Sequence, residues 1–174
     1  MSNITTIKEC CASNGPGLRT AIWLAGCPGV WRLPDGTMTH CPGCFNQSAW
    51  DPNVGHELTG TGIDDILSTI DSPHVQGLSI LGGEPLALYN QSTTRRIIEK
   101  LRERFGDNKD IWIWTGYVIG DTLPVTDDAR WIIKNVDAII DGPFVQALFH
   151  DGLVNMGSTN QRELHREELQ KIEL

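Results

Sequence analysis

A chain of 174 residues with 40% hydrophobic and 21% charged side chains has enough apolar material for one buried core, and a single domain over residues 1–174 is expected. Its 22 acidic against 14 basic side chains leave a net charge of −8, which removes the overall attraction that nucleic-acid binding needs and favours a small molecule or another protein as partner. The first nine residues lack the basic-then-apolar layout of an export signal and no apolar run approaches the ~18 residues of a membrane span, so a cytoplasmic protein without membrane association is expected.

Residues 4–11 and 18–25 read as extended segments joined by a cluster of turn formers at 12–17. The second segment carries Ile22, Trp23 and Leu24 and delivers Cys27 just past its end, at the rim where α/β folds keep their ligands. Cys27, Cys41 and Cys44 then gather three of the five cysteines into one loop, with Pro42 and Gly43 supplying the turn between the last two. Thiolates are soft ligands that suit zinc or an iron-sulfur cluster. A structural zinc site is closed by four ligands, so three cysteines leave one position open for chemistry. His40, Cys10 or Cys11 could each supply a fourth zinc ligand, and on spacing alone both metals remain open. A disulfide is not expected, since nothing in the chain indicates export. Between Cys27 and Cys41, residues 30–33 and 37–40 are compatible with short strands around Pro34-Asp35-Gly36, which predicts a β-hairpin.

After a polar connection at 51–62, Ile63, Ile66, Leu67 and Ile70 fall at helical spacing and predict a helix over 63–70, with Thr61 and Asp64 spaced as a capping box. Residues 77–81 form a buried strand ending in Gly82-Gly83-Glu84-Pro85, where paired glycines permit close approach of a ligand and a carboxylate can accept hydrogen bonds from a cationic group. A helix over 92–105 stops at Gly106. The strand 111–114 ends in Thr115-Gly116-Tyr117, its two tryptophans read as core packing. A helix over 126–135 and a strand over 136–140 lead into residues 141–144. The charged tail 160–174 reads as helical, and residues 157–162 are polar enough to line a site. Strand and helix alternate through the centre, which predicts right-handed βαβ units and a parallel sheet.

Three of these stretches, Asn14-Gly15-Pro16-Gly17-Leu18-Arg19, Cys41-Pro42-Gly43-Cys44-Phe45-Asn46 with Ser48 and Trp50, and Gly82-Gly83-Glu84-Pro85-Leu86, occur in an order that resembles the radical S-adenosylmethionine enzymes. Residues 112–117, 136–144 and 157–162 extend the likeness, and within the superfamily it is strongest to the proteins that activate anaerobic ribonucleotide reductase. The resemblance implies an α/β fold, a partial (βα) barrel with a mostly parallel sheet. It implies that Cys27, Cys41 and Cys44 hold a 4Fe-4S cluster, and that Gly43, Cys44, Phe45, Asn46, Gly82, Gly83, Glu84 and Thr115 bind S-adenosylmethionine. The implied partners are the large subunit of anaerobic ribonucleotide reductase, on which a glycyl radical is made, and a reduced flavodoxin-type electron donor. A complete eight-stranded barrel needs roughly 250 residues, so this chain would form only part of one and leave a side open to a protein substrate.

The family spaces its cysteines C-x3-C-x2-C, whereas thirteen residues separate Cys27 from Cys41 here. The longer loop costs on the order of 1 kcal/mol in closure entropy, which is small beside cluster ligation. Two other readings are carried forward. One is a radical S-adenosylmethionine enzyme acting on a small molecule, similar to 7-carboxy-7-deazaguanine synthase; the other is a zinc-stabilised binding module without catalysis.

Overall fold

A computed structural model describes residues 2–174. Four strands run parallel at its centre: β2 (Leu18–Leu24), β6 (Val75–Gly82), β7 (Asp110–Trp114) and β8 (Ala138–Asp141). On one margin β1 (Asn3–Cys11) pairs antiparallel with β2, and the two-residue β5 (His56–Glu57) pairs with β1; on the other, β9 (Arg162–His165) pairs antiparallel with β8. The sheet order β5-β1-β2-β6-β7-β8-β9 does not close on itself, which is the partial barrel expected. A separate hairpin of β3 (Trp31–Arg32) and β4 (Met38–Thr39) pairs Trp31 with Thr39 and Arg32 with Met38, as the turn chemistry at Pro34-Asp35-Gly36 predicts.

One face of the sheet is covered by α1 (Gly60–Ile70), α2 (Leu88–Phe105) and α3 (Asp127–Asn135), with the short α4 (Arg166–Lys171) beside α3. Alternation along the strands sends Ile22 and Leu24, Leu78 and Ile80, Ile111 and Ile113, and Ile139 into this core. The opposite face carries Trp112, Ala138 and Ile140, with Trp114 against them. Ile63, Ile66, Leu67 and Ile70 are all buried, as the spacing of α1 predicts.

Four expectations are corrected. The cap of α1 is Thr59, whose hydroxyl accepts from the Gly62 amide, and Thr61 donates to or accepts from Thr59 instead of capping with Asp64. The helix therefore starts three residues before its first apolar residue. Helix α2 starts at Leu88, four residues before the expected residue 92, because its opening turns are buried through polar side chains: Asn90, Gln91 and Thr94 each bond backbone carbonyls of the preceding loop. Val136 ends α3 rather than opening a strand, and β8 runs to Asp141. The tail is not helical throughout; residues 162–165 pair with β8 before α4 begins.

Candidate functional site

Strand β2 ends at Leu24 and β6 at Gly82, and the backbone beyond both is knitted to the cysteine loop. Gly83 N–H donates to the Leu24 carbonyl (2.8 Å), Glu84 N–H to Gly26 (2.7 Å), Gly26 N–H to Ala49 (2.7 Å) and Cys27 N–H to Trp50 (2.9 Å). A Cβ on Gly83 would lie 2.3 Å from the Gly26 oxygen, and one on Gly82, whose φ is +136°, 2.2 Å from the Leu24 oxygen. The close approach that these glycines permit is thus made first by protein backbone. Asn90 adds a side-chain tie, donating to both the Ala25 and Glu84 carbonyls at 2.9 Å.

Above this rim lies a cavity of about 240 Å³ onto which Cys27, Cys41 and Cys44 all open. Burial pushes the Cys27 thiol up to about 12 and the Cys41 thiol to about 11, against a backbone bond from Gly29 to the first and from Phe144 to the second. The Asn46 amide donates to the Cys44 sulfur at 3.4 Å, and the Asn46 side-chain nitrogen is buried without a partner. Among the described residues no three His, Cys, Asp or Glu side chains are grouped closely enough to hold a single metal ion. Cys10 and Cys11 lie elsewhere: Cys10 is exposed on β1, and the buried Cys11 thiol faces Ser13 and Asn14.

The hairpin brings its two ends together. His40 Nε2 donates to the Cys27 carbonyl at 2.9 Å, and its ring stacks on Trp50 with centroids 3.9 Å apart. Val30, 4% exposed, turns inward to pack in the core and against Gly116.

Glu84 is 1% exposed, and its carboxylate is already engaged. Oε1 accepts from the Thr115 hydroxyl (2.6 Å) and the Leu86 amide (2.9 Å), while Oε2 accepts from the Gly116 amide (2.8 Å). Burial lifts its pKa to about 7 in spite of these three donors. The side chain therefore spans from the end of β6 to the end of β7, with lone-pair capacity left on Oε2 for one further donor.

Of the residues expected to bind a cofactor, Cys44, Phe45, Asn46, Gly82, Gly83, Glu84 and Thr115 line the cavity. Gly43 does not: it makes the turn at φ +76°, where a Cβ would meet the Gln146 side chain at 2.3 Å. The polar segment 157–162 contributes Gly157 and Gln161 to the wall, as its composition suggests. Trp23, Trp50, Gly116 and Gly142 also line the cavity although sequence reasoning assigned none of them as a binding residue, and Trp114, read as core packing, lines it too. Most stand at or just beyond the carboxyl ends of parallel strands, and that position was the available signal.

Residues 13–164 match the family described as a 4Fe-4S single cluster domain. The chain is similar to the anaerobic ribonucleoside-triphosphate reductase-activating protein of Vibrio cholerae, at 32% identity over 155 residues, covering 88% of this chain and 90% of that one. Proteins of the same name from Escherichia coli K12 (33% over 150 residues, 85% and 88% covered) and from enterobacteria phage T4 (32% over 160 residues, 92% of each) are comparably similar.

Proposed function

Because the chain belongs to the family of anaerobic ribonucleoside-triphosphate reductase-activating proteins, with a 4Fe-4S single cluster domain over most of its length, we propose that it activates such a reductase by making a glycyl radical on the large subunit. The observation that carries this reading is the opening of Cys27, Cys41 and Cys44 onto the same cavity as Gly82, Gly83 and Glu84.

The residues present fit a cluster held by three thiolates. Three sulfurs open onto one cavity, burial desolvates those of Cys27 and Cys41, a backbone N–H group reaches each of the three, and a buried Asn46 nitrogen still lacks an acceptor. In the proposal Cys27, Cys41 and Cys44 are the ligands, and when bound the cluster supplies the electron that cleaves the sulfonium bond of S-adenosylmethionine to methionine and a 5′-deoxyadenosyl radical, which takes a hydrogen atom from the reductase glycine. The chain's own work is positioning. Gly82 and Gly83 hold the rim close to the cysteine loop, the free capacity of Glu84 Oε2 is available to an ammonium, and Phe45, 78% exposed against Phe144, borders the mouth. A reduced flavodoxin-type protein is the proposed donor and the cytoplasm the proposed location. Among the described residues no helix is long and apolar enough to cross a membrane.

Incubation of the anaerobically reconstituted protein with the large reductase subunit, reductant and S-adenosylmethionine tests this. A glycyl radical seen by electron paramagnetic resonance is expected. Its absence, with methionine and deoxyadenosine formed only when a pterin-like small molecule is supplied, would replace the reading with small-molecule chemistry. One bound zinc and no iron or sulfide after anaerobic purification would instead select the non-catalytic module.

A further inference from the structure

We propose that His40 is a positioning residue that holds Cys27 in place for cluster assembly, a role that rests on the reading of Cys27 as a ligand. The need for such a residue comes from the chain itself. Thirteen residues separate Cys27 from Cys41, so the covalent tether between them is slack. By the three-halves power of loop length, closing thirteen residues is about ninefold less favourable than closing three. The hairpin that folds this loop has only two paired positions on each strand, too few to be stable alone in water.

What fixes the base of the hairpin is a closed ring of contacts. The Cys27 N–H is held by the Trp50 carbonyl at 2.9 Å, and the Cys27 carbonyl by His40 Nε2 at 2.9 Å. His40 and Trp50 then stack on each other, nearly parallel at 13°. Both backbone polar groups of Cys27 are therefore tied to one aromatic pair. A carbonyl only accepts, so Nε2 carries a proton in this arrangement and has no lone pair for a metal. His40 in this pose is thus a brace rather than a fourth ligand through that nitrogen. Next to it, Gly29 has a φ of +88°, and a Cβ there would sit 2.8 Å from the Thr39 carbonyl carbon, so the two legs of the hairpin meet at the same level.

The test compares His40→Gln with His40→Met in the reconstituted protein, since the two side chains have similar length but only Gln donates a hydrogen bond. The readout is the rate of iron release to a chelator, with amide hydrogen exchange at Cys27 in the iron-free chain as a second measurement that needs no cluster. His40→Met is expected to release iron about fivefold faster than His40→Gln, the factor for one ordinary hydrogen bond, and to exchange the Cys27 amide faster by a similar ratio. Equal release rates and equal exchange in the two variants would overturn the proposal. Cys27→Ala is the separate arm: if it retains a normal iron content, the ligand reading has failed and not the brace. If Cys27→Ala loses its iron while the Gln and Met variants behave alike, the brace alone has failed.

Discussion

The two ends of the parallel strands use similar residues to opposite effect. At the amino ends, Arg19 is fully buried and wholly engaged: Nε donates to Ser79 (2.7 Å), Nη1 to the Pro16 carbonyl (3.2 Å), Nη2 to the Leu78 carbonyl (3.0 Å), and Nη2 stands 2.6 Å from Asp110 as an ion pair rather than an aligned hydrogen bond. Ser79 in turn donates to the Asn14 carbonyl, so the Asn14-to-Arg19 stretch ties β2, β6 and β7 together. At the carboxyl ends, the polar groups are buried too, but some are left over: a lone pair on Glu84, the Asn46 nitrogen and three thiols on a cavity. Motifs that look alike in sequence thus divide into one that is used up in holding the fold and one that keeps capacity for a ligand.

That division can be broken by substitution, with the unfolding free energy of the iron-free chain as the common scale. The largest effect is expected from Arg19→Met, which leaves Asp110 without its cation and removes hydrogen bonds to three backbone carbonyls; a loss of about 3 to 5 kcal/mol should appear in urea unfolding. Were Arg19→Met as stable as the parent, the Arg19 network at the amino ends would not be a structural device. Glu84→Ala comes next, because it strands the Leu86 and Gly116 amides and the Thr115 hydroxyl, at roughly 2 to 3 kcal/mol; calorimetry on the reconstituted variant should also show a ten- to hundredfold weaker affinity for S-adenosylmethionine. Glu84 is where the two roles meet, and unchanged affinity in a variant with its cluster intact would assign it to structure alone. Alanine at Cys27, Cys41 or Cys44 should cost the iron-free chain less, about 1 kcal/mol, yet remove most iron on reconstitution, while Cys10→Ala and Cys11→Ala keep the iron. Least of all is Arg32→Ala, which breaks an exposed ion pair with Asp121 and should change stability by under ~1 kcal/mol.

Much of this could be read from residues in order. The α1 stripe, the hairpin turn and the strand endings before Cys27, at Gly82 and before Thr115 were legible because each is a local pattern with a physical meaning; the cysteine trio was legible as a grouping, although its spacing alone left the metal open. What escaped was set by contacts distant in the chain. The start of α2 is polar and buried, so hydrophobic period does not mark it; one of the two carbonyls that its Asn90 bonds is that of Ala25, 65 residues away. The pairing of residues 162–165 with β8 was hidden because a charged stretch is an edge strand only if the sheet has an edge there to receive it. Gly82 and Gly83 do line the cavity, but the close approach that the structure shows for them is to the Leu24 and Gly26 backbone.

The antiparallel strand β9 bears on timing. Together with the antiparallel β1 on the other margin, it leaves no free parallel strand for another βα unit to extend, so the arc cannot close itself into a ring. The mouth beside the exposed Phe45 is therefore open to water whenever the chain is alone. Under the proposed function, exclusion of water, which protects reactive species from side reactions, would then have to come from the reductase subunit docking over the mouth. Under the proposed function, productive coupling becomes a matter of mass action: abortive cleavage of S-adenosylmethionine dominates when the partner is scarce, and declines as its concentration rises past the dissociation constant of the pair.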